Sequence, residues 1–275
     1  MYKLIALDID GTLVTKKAKI TEKNLLSIAE AKKKGVKIVL ASGRPLNGLN
    51  RFLKELDLIN KGDYAVGFNG AIVQDTYTEE IITMTTLNID CYKELYDISL
   101  KMGVNIHALT KVKVITPKIN KYSQLEADLN GIEIEEISLE NIGKEETIVK
   151  VMMIDDPILL DNVVANLSED IKERYTIFKS APYFLEFLHK DVNKWSGVFG
   201  LAHKLGIKTE EIICVGDEEN DIHMIENAGL GVAMGNAVTK IKEVADYITL
   251  SNEESGVAHV INKFILNKED EEYTA

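Results

Sequence analysis

The chain has 275 residues, 45% hydrophobic and 28% charged with only 4 prolines, which excludes the disordered and fibrous classes and favours two domains or one large one. With 32 basic against 44 acidic residues the formal charge is −12, so a nucleic-acid partner is not expected. A small anion remains a possible ligand where one pocket gathers positive charge against that field. Residues 3–7 (KLIAL) and 36–41 (VKIVLA) are short apolar runs that predict buried strands. Between them Leu25, Leu26, Ile28 and Ala29 recur at helical spacing after Thr21, a suitable N-cap, so this stretch reads as a βαβ unit of a parallel sheet. The segment 71–84 is strand-rich. From about 85 to 190 the pattern changes: strands at 104–109, 112–116, 148–154, 175–180 and 183–188 and helices at 119–130 and 157–167 predict an inserted α+β domain. A helix-like run at 198–205, a strand at 211–216, the stretch Gly229–Met234 and a helix from near Val238 then resume the doubly wound theme. The expected core is therefore discontinuous, residues 1–84 and 191–275, with residues 85–190 inserted. The acidic run 268–272 reads as a solvated end.

Cys91 and Cys214 lie far apart with no CxxC spacing, so neither a disulfide framework nor a zinc site is expected, and a reducing compartment fits. No apolar run approaches the roughly 18 residues of a membrane span. The reading is a cytoplasmic protein with no membrane partner.

In open parallel sheets, ligands bind where loops leave the carboxyl ends of strands. Asp8, Ser42 and Asp217 each follow an apolar run by at most two residues. In Asp8-Ile9-Asp10-Gly11-Thr12 the two carboxylates form an extended i, i+2 pair expected to face one side; Gly11 permits a tight turn and Thr12 can cap the segment after it. Crowded carboxylates call for a cation, a raised pKa or both, and Mg2+ suits an all-oxygen donor set. Gly216-Asp217-Glu218-Glu219-Asn220-Asp221 adds further oxygens, and Ser42-Gly43-Arg44-Pro45 can begin a helix and cradle an anion. Lys194 is a candidate for the positive charge. Each feature alone has a structural reading: a turn Asp, an N-cap Ser42, acids drawn to a helix start, a solvated Lys194, an Arg44 paired with a surface acid. Three segments meeting at one sheet edge point instead to a site.

These motifs, with Asn69-Gly70-Ala71, Val192-Asn193-Lys194 and the run Gly231 to Ala237, resemble the haloacid dehalogenase superfamily, Cof-type sugar-phosphatase branch, in order from residue 3 to about 262. The resemblance implies an α/β fold with a Rossmann-like doubly wound core and an α+β cap that chooses the substrate. It implies a Mg2+-dependent phosphatase acting on a small phosphorylated metabolite, sugar phosphates foremost, through a phosphoaspartyl intermediate. In that scheme Asp8 is nucleophile and metal ligand, while Asp10 is acid and base and offers its carbonyl to the metal. Asp217 is the third ligand and Asp221 supports the metal shell. Ile9, Ser42, Gly43, Arg44, Asn69, Gly70 and Asn220 are expected on the substrate side, and Lys194 neutralises the phosphoryl group. The chain departs from the family at Trp195, where glycine is usual; that ring is expected to pack under Lys194 or crowd the pocket. A phosphomutase, a ligand sensor and a phosphate-accepting signalling module are the alternatives. No GxGxxG fingerprint supports a dinucleotide.

Overall fold

The computed structural model describes residues 1–143 and 145–268, so the acidic run 268–272 beyond Lys268 lies outside the described residues. In chain order the elements begin β1 (Leu4–Leu7), α1 (Glu22–Lys33), β2 (Lys37–Ala41), α2 (Leu46–Glu55), β3 (Tyr64–Gly67), β4 (Ile72–Asp75) and β5 (Ile81–Met84). There follow α3 (Ile89–Met102), β6 (Asn105–Leu109), β7 (Lys113–Thr116), α4 (Lys121–Asn130), β8 (Glu133–Glu136) and β9 (Lys150–Ile154). Next come α5 (Pro157–Asn166), α6 (Glu169–Arg174), β10 (Tyr175–Ala181) and β11 (Phe184–His189). The chain closes with α7 (Lys194–Lys204), β12 (Ile212–Gly216), α8 (Ile222–Asn227), β13 (Leu230–Ala233), α9 (Thr239–Val244), β14 (Tyr247–Ile248) and α10 (Gly256–Ile261). By contacts it divides into two units: Met1–Ser42, Asn50–Thr83 and the described residues from Asn193 on, and Gly43–Leu49 with Met84–Val192. Among the described residues no helix is long and apolar enough to cross a membrane.

The first unit is built on the sheet order β14-β13-β12-β1-β2-β3-β4-β5. Pairing from β14 through β3 is parallel, and β4 returns antiparallel to β3. All four residues of β1 are fully buried, as expected of a central parallel strand covered on both faces. Thr21 does cap α1, accepting from Asn24 N. Of the apolar stripe read from the sequence only Ile28 is fully buried, however: Leu26 is 60% exposed, while the polar Asn24 and Ser27 are buried. Hydrogen bonding explains the exchange, because Asn24 donates to Leu13 O and accepts from Ala258 N, and Ser27 donates to Asn262.

The second unit carries the sheet order β10-β11-β9-β6-β7-β8, antiparallel except for β7 with β8, which α4 connects. One face packs Ile106, Val151, Met153 and Phe187 into a hydrophobic core with Tyr92 and Leu95 of α3 and Leu160 of α5. Three elements of this unit have no counterpart in the sequence reading: α3, β8 and α6. Helix α3 has Asn88 accepting from Cys91 N at its start and Gly103 left-handed at its end (φ 68), and buries Tyr92, Leu95 and Ser99 at i, i+3 and i+7. Strand β8, Glu-Ile-Glu-Glu, is an edge strand whose charges hide the strand pattern. On the opposite face from the core, Lys150 is buried between Glu186 (3.0 Å) and Glu126 (3.5 Å). Burial alone would lower the Lys150 pKa, but the two carboxylates raise it. Nearby His107 is fully buried, and burial with the Lys150 charge brings its pKa down to about 3, so the ring is neutral at physiological pH.

Candidate active site

Strands β12, β1 and β2 are neighbours, and the residue after each carboxyl end is polar and buried: Asp217, Asp8 and Ser42. The Asp8 amide continues the ladder to Val215 O at 3.1 Å, so the carboxylate is fixed by the sheet itself. Gly11 turns the chain at φ +86, and a Cβ there would lie 2.1 Å from Asp217 Oδ2, so glycine lets the Asp217 carboxylate approach the loop after Asp8. Thr12 Oγ1 donates to Asp217 Oδ1 at 2.7 Å. This is a corrected expectation: Thr12 does not cap a following helix but bonds a carboxylate 205 residues away.

The positive charge arrives from α7. Asn193 caps that helix, accepting from Ser196 N, and makes Lys194 its first residue. The Lys194 ammonium has no solvent exposure and donates to Asp8 Oδ1 and Asp221 Oδ1, each at 2.6 Å. The other oxygen of Asp221 accepts from Asp217 N (2.9 Å) and Glu218 N (3.1 Å). Burial lowers the Lys194 pKa, but Asp221 and Asp8 more than offset it, so Lys194 stays charged. Burial raises Asp8 well above the carboxylate range; Lys194 opposes this, and Asp221 and Asp217 add to it. Asp217 is pushed up to about 7, mainly by burial, with the Thr12 hydrogen bond opposing.

Beside this cluster, Phe68, Asn69 and Gly70 form a turn with φ of 51, 54 and 99. A Cβ on Gly70 would meet Asn193 O at 2.0 Å, and one on Gly197 would meet Val66 and Gly70 within 3 Å, so glycines allow the start of α7 to seat against this turn. The Asn69 amide donates to Ser42 O at 2.9 Å, and Asn69 Oδ1 accepts from Asn220 Nδ2 at 3.0 Å. Asn69 Nδ2 is buried and has no hydrogen-bond partner among the described residues, a donor suited to an anionic oxygen.

Asp8, Asp217 and Asp221 each place a carboxylate oxygen within 4.8 Å of the others. With all three carboxylates ionised, one ammonium leaves two negative charges in a buried volume, which a divalent cation would balance, and the donors are hard oxygens. Both Asp221 oxygens are occupied, whereas Asp8 Oδ2 accepts no hydrogen bond among the described residues. The donor set therefore fits a divalent metal with Asp8 and Asp217 contributing directly.

Other positions singled out in the sequence are placed as follows. Asp8 is buried whereas Asp10 is exposed, beyond the end of β1 at Leu7, and Asp10 is not part of the aspartate triad. The Ile9 side chain is fully buried, so only its main chain can serve a ligand. Gly43 and Arg44 group with the second unit, not with Ser42. Trp195 lies against Phe199, 5.5 Å between ring centroids, along α7. Asn236 carried no assigned role in the sequence, yet it reaches Gly11 O at 2.8 Å; its place in the Gly231 to Ala237 run was the only signal.

A family model described as haloacid dehalogenase-like hydrolase matches residues 5–261. The Bacillus subtilis (strain 168) protein YxeH, named provisionally as a phosphatase, is 42% identical over 98% of this chain and 100% of its own length. The 5-amino-6-(5-phospho-D-ribitylamino)uracil phosphatase YcsE of the same organism is 32% identical, covering 96% of each chain. Among solved structures, a haloacid dehalogenase-like hydrolase from Bacteroides thetaiotaomicron superposes with a TM-score of 0.84 at 33% identity, covering 96% of this chain and 100% of that one.

Proposed function

The chain belongs to the haloacid dehalogenase-like hydrolases, and from that membership we propose a Mg2+-dependent phosphatase of the Cof-type branch that cleaves small phosphomonoesters, sugar phosphates foremost, through a phosphoaspartyl intermediate. The observation that carries this reading is the Lys194 ammonium held 2.6 Å from Asp8 in a buried site beside Asp217. In this reading an Asp8 oxygen attacks phosphorus, and the ester P–O bond breaks with its electron pair going to the leaving oxygen. Asp10 delivers a proton to that oxygen. It then takes a proton from a water, which attacks the phosphoaspartate, releases phosphate and restores Asp8. Exposure of Asp10 suits it to exchange protons with solvent and leaving group. Lys194, the Asn69 side-chain Nδ2, Asn220 and Ser42 are assigned to the phosphoryl oxygens, where their stabilisation is greatest in the transition state. Mg2+ held by Asp8, Asp217 and the Asp10 carbonyl, with Asp221 supporting Asp217 and Lys194, would mask phosphoryl charge against the attacking carboxylate.

The α+β insertion, residues 85–190, is assigned to substrate choice. The name of the YcsE relative brings a phosphorylated ribityl compound into the set of substrates to try. Unpaired Cys91 and Cys214 fit a cytoplasmic setting. The test is phosphate release from sugar phosphates, nucleotides and the ribityl phosphate with and without Mg2+. Metal-dependent release is expected, with Asp8→Asn folded and at least about a thousandfold slower. Isomerisation without free phosphate would mark a mutase, and a long-lived phosphoprotein after acetyl-phosphate treatment would mark a signalling module.

A further inference from the structure

Three asparagine side chains from separate segments hold three carbonyls of the loop that follows Asp8. Asn236 donates to Gly11 O at 2.8 Å, Asn24 to Leu13 O at 3.2 Å and Asn252 to Val14 O at 2.8 Å. Each is itself tied down: Asn24 Oδ1 accepts from Ala258 N, and Asn236 Oδ1 accepts from Asn252 N, both at 2.9 Å. Asn24 and Asn252 are buried, so their bonds belong to the fold of the loop. Asn236 is exposed, and it makes one contact the others do not. Its Nδ2 also lies 3.5 Å from Asp217 Oδ2, the oxygen that Thr12 leaves unused.

The segment bearing Asn236 is fastened to the same strand end as Asp217. Met234 N donates to Gly216 O, Val238 N to Asp217 O and Gly235 N to Leu250 O, each at 3.0 Å. A Cβ on Gly235 would come within 2.8 Å of Ser251 N, so this close seating requires glycine. The Asn236 amide is thus rigidly presented to two groups at once: the backbone of the Asp8 turn and the outer oxygen of Asp217.

We propose that Asn236 is a positioning residue that orients the Asp217 carboxylate and the Gly11 turn for a divalent cation, without touching substrate. Hydrogen bonds of this kind aim metal-binding carboxylates and tune their affinity. The inference rests on reading the aspartate triad as a cation site; it does not depend on which phosphoester is cleaved.

The test is Mn2+ binding to the full chain without substrate, followed by electron paramagnetic resonance of the free ion, in wild type and Asn236→Ala. The expected result is binding about 10-fold weaker in Asn236→Ala, with a melting midpoint within about 2 °C of wild type because the residue is exposed. With p-nitrophenyl phosphate at saturating Mn2+, kcat is expected to fall while KM stays within about twofold. Asn252→Ala, removing a buried bond, is expected to lower the midpoint by more than Asn236→Ala does. Unchanged Mn2+ affinity in Asn236→Ala overturns the proposal. A loss of midpoint equal to that of Asn252→Ala with unaltered kcat overturns it as well. A wild-type chain that binds Mn2+ but hydrolyses no phosphoester, paired with weaker binding in Asn236→Ala, sinks the phosphatase reading and leaves this one standing.

Discussion

Asp217 stands at a strand end with a pKa near neutrality, and its protonation couples the metal-free fold to pH. Burial pushes it up to about 7 from 3.8, so the folded, metal-free chain keeps a proton that the unfolded chain has already released. The stability this group contributes is full below about pH 4 and is lost as the pH rises through about 7. Asp217→Asn cannot ionise. In chelator, urea melts should find it more stable than wild type at pH 8 by on the order of 2 kcal/mol, with a shallower decline between pH 4 and 7. A variant less stable than wild type at pH 8 would show that Thr12 and Asn236 offset the burial cost. Asp8 and Asp217 could be chosen from the sequence because each follows an apolar run. The exposure of Asp10 could not, since it depends on where β1 stops being extended.

Among the elements, the Phe68–Gly70 turn and the first residue of α7 work as a pair. The turn holds three left-handed residues in succession, and Gly70 lets Asn193 O approach where a Cβ would stand at 2.0 Å. Gly70→Ala is expected to lose about 2–4 kcal/mol of stability, from strain at φ +99 and from displacement of the helix start. Activity should fall further than stability explains, because Asn69 and Lys194 move together; chemical melts and kcat measured well below the midpoint separate the two. Wild-type kcat in this variant would refute the coupling. The motif Asn69-Gly70-Ala71 was visible in the sequence, but the reason for its glycine was not, since the atom it accommodates is 123 positions further along the chain. Helix α3 escaped notice because its buried positions include Ser99 and a tyrosine amid charged neighbours, although Asn88 and Gly103 marked both ends.

For the whole molecule, the two units predict where a cation is felt. Asp8, Asp217, Asp221 and Lys194 all lie in the first unit. A ligand that binds only the native state stabilises the structure that holds it. Millimolar Mg2+ should therefore slow hydrogen exchange in residues 8–14 and 216–221 and leave β6, β9 and β11 unchanged. Protection confined to the second unit would place the ion elsewhere. The buried Lys150, Glu126 and Glu186 group lies in the second unit and should not respond.

Sequence by itself determined the strand ends and the α/β alternation, because apolar runs, caps and glycines are local requirements that a few consecutive residues satisfy or fail. It therefore brought Asp8, Ser42 and Asp217 to one sheet edge and marked an inserted α+β segment. Only the tertiary structure decided which groups share a charge. Lys194 meets Asp8 across 186 positions, and Thr12 meets Asp217 across 205. Those pairings depend on strand order, on glycine-permitted approaches at Gly11 and Gly70, and on two carboxylates that keep a buried ammonium charged. None of these is a property of a short stretch of chain.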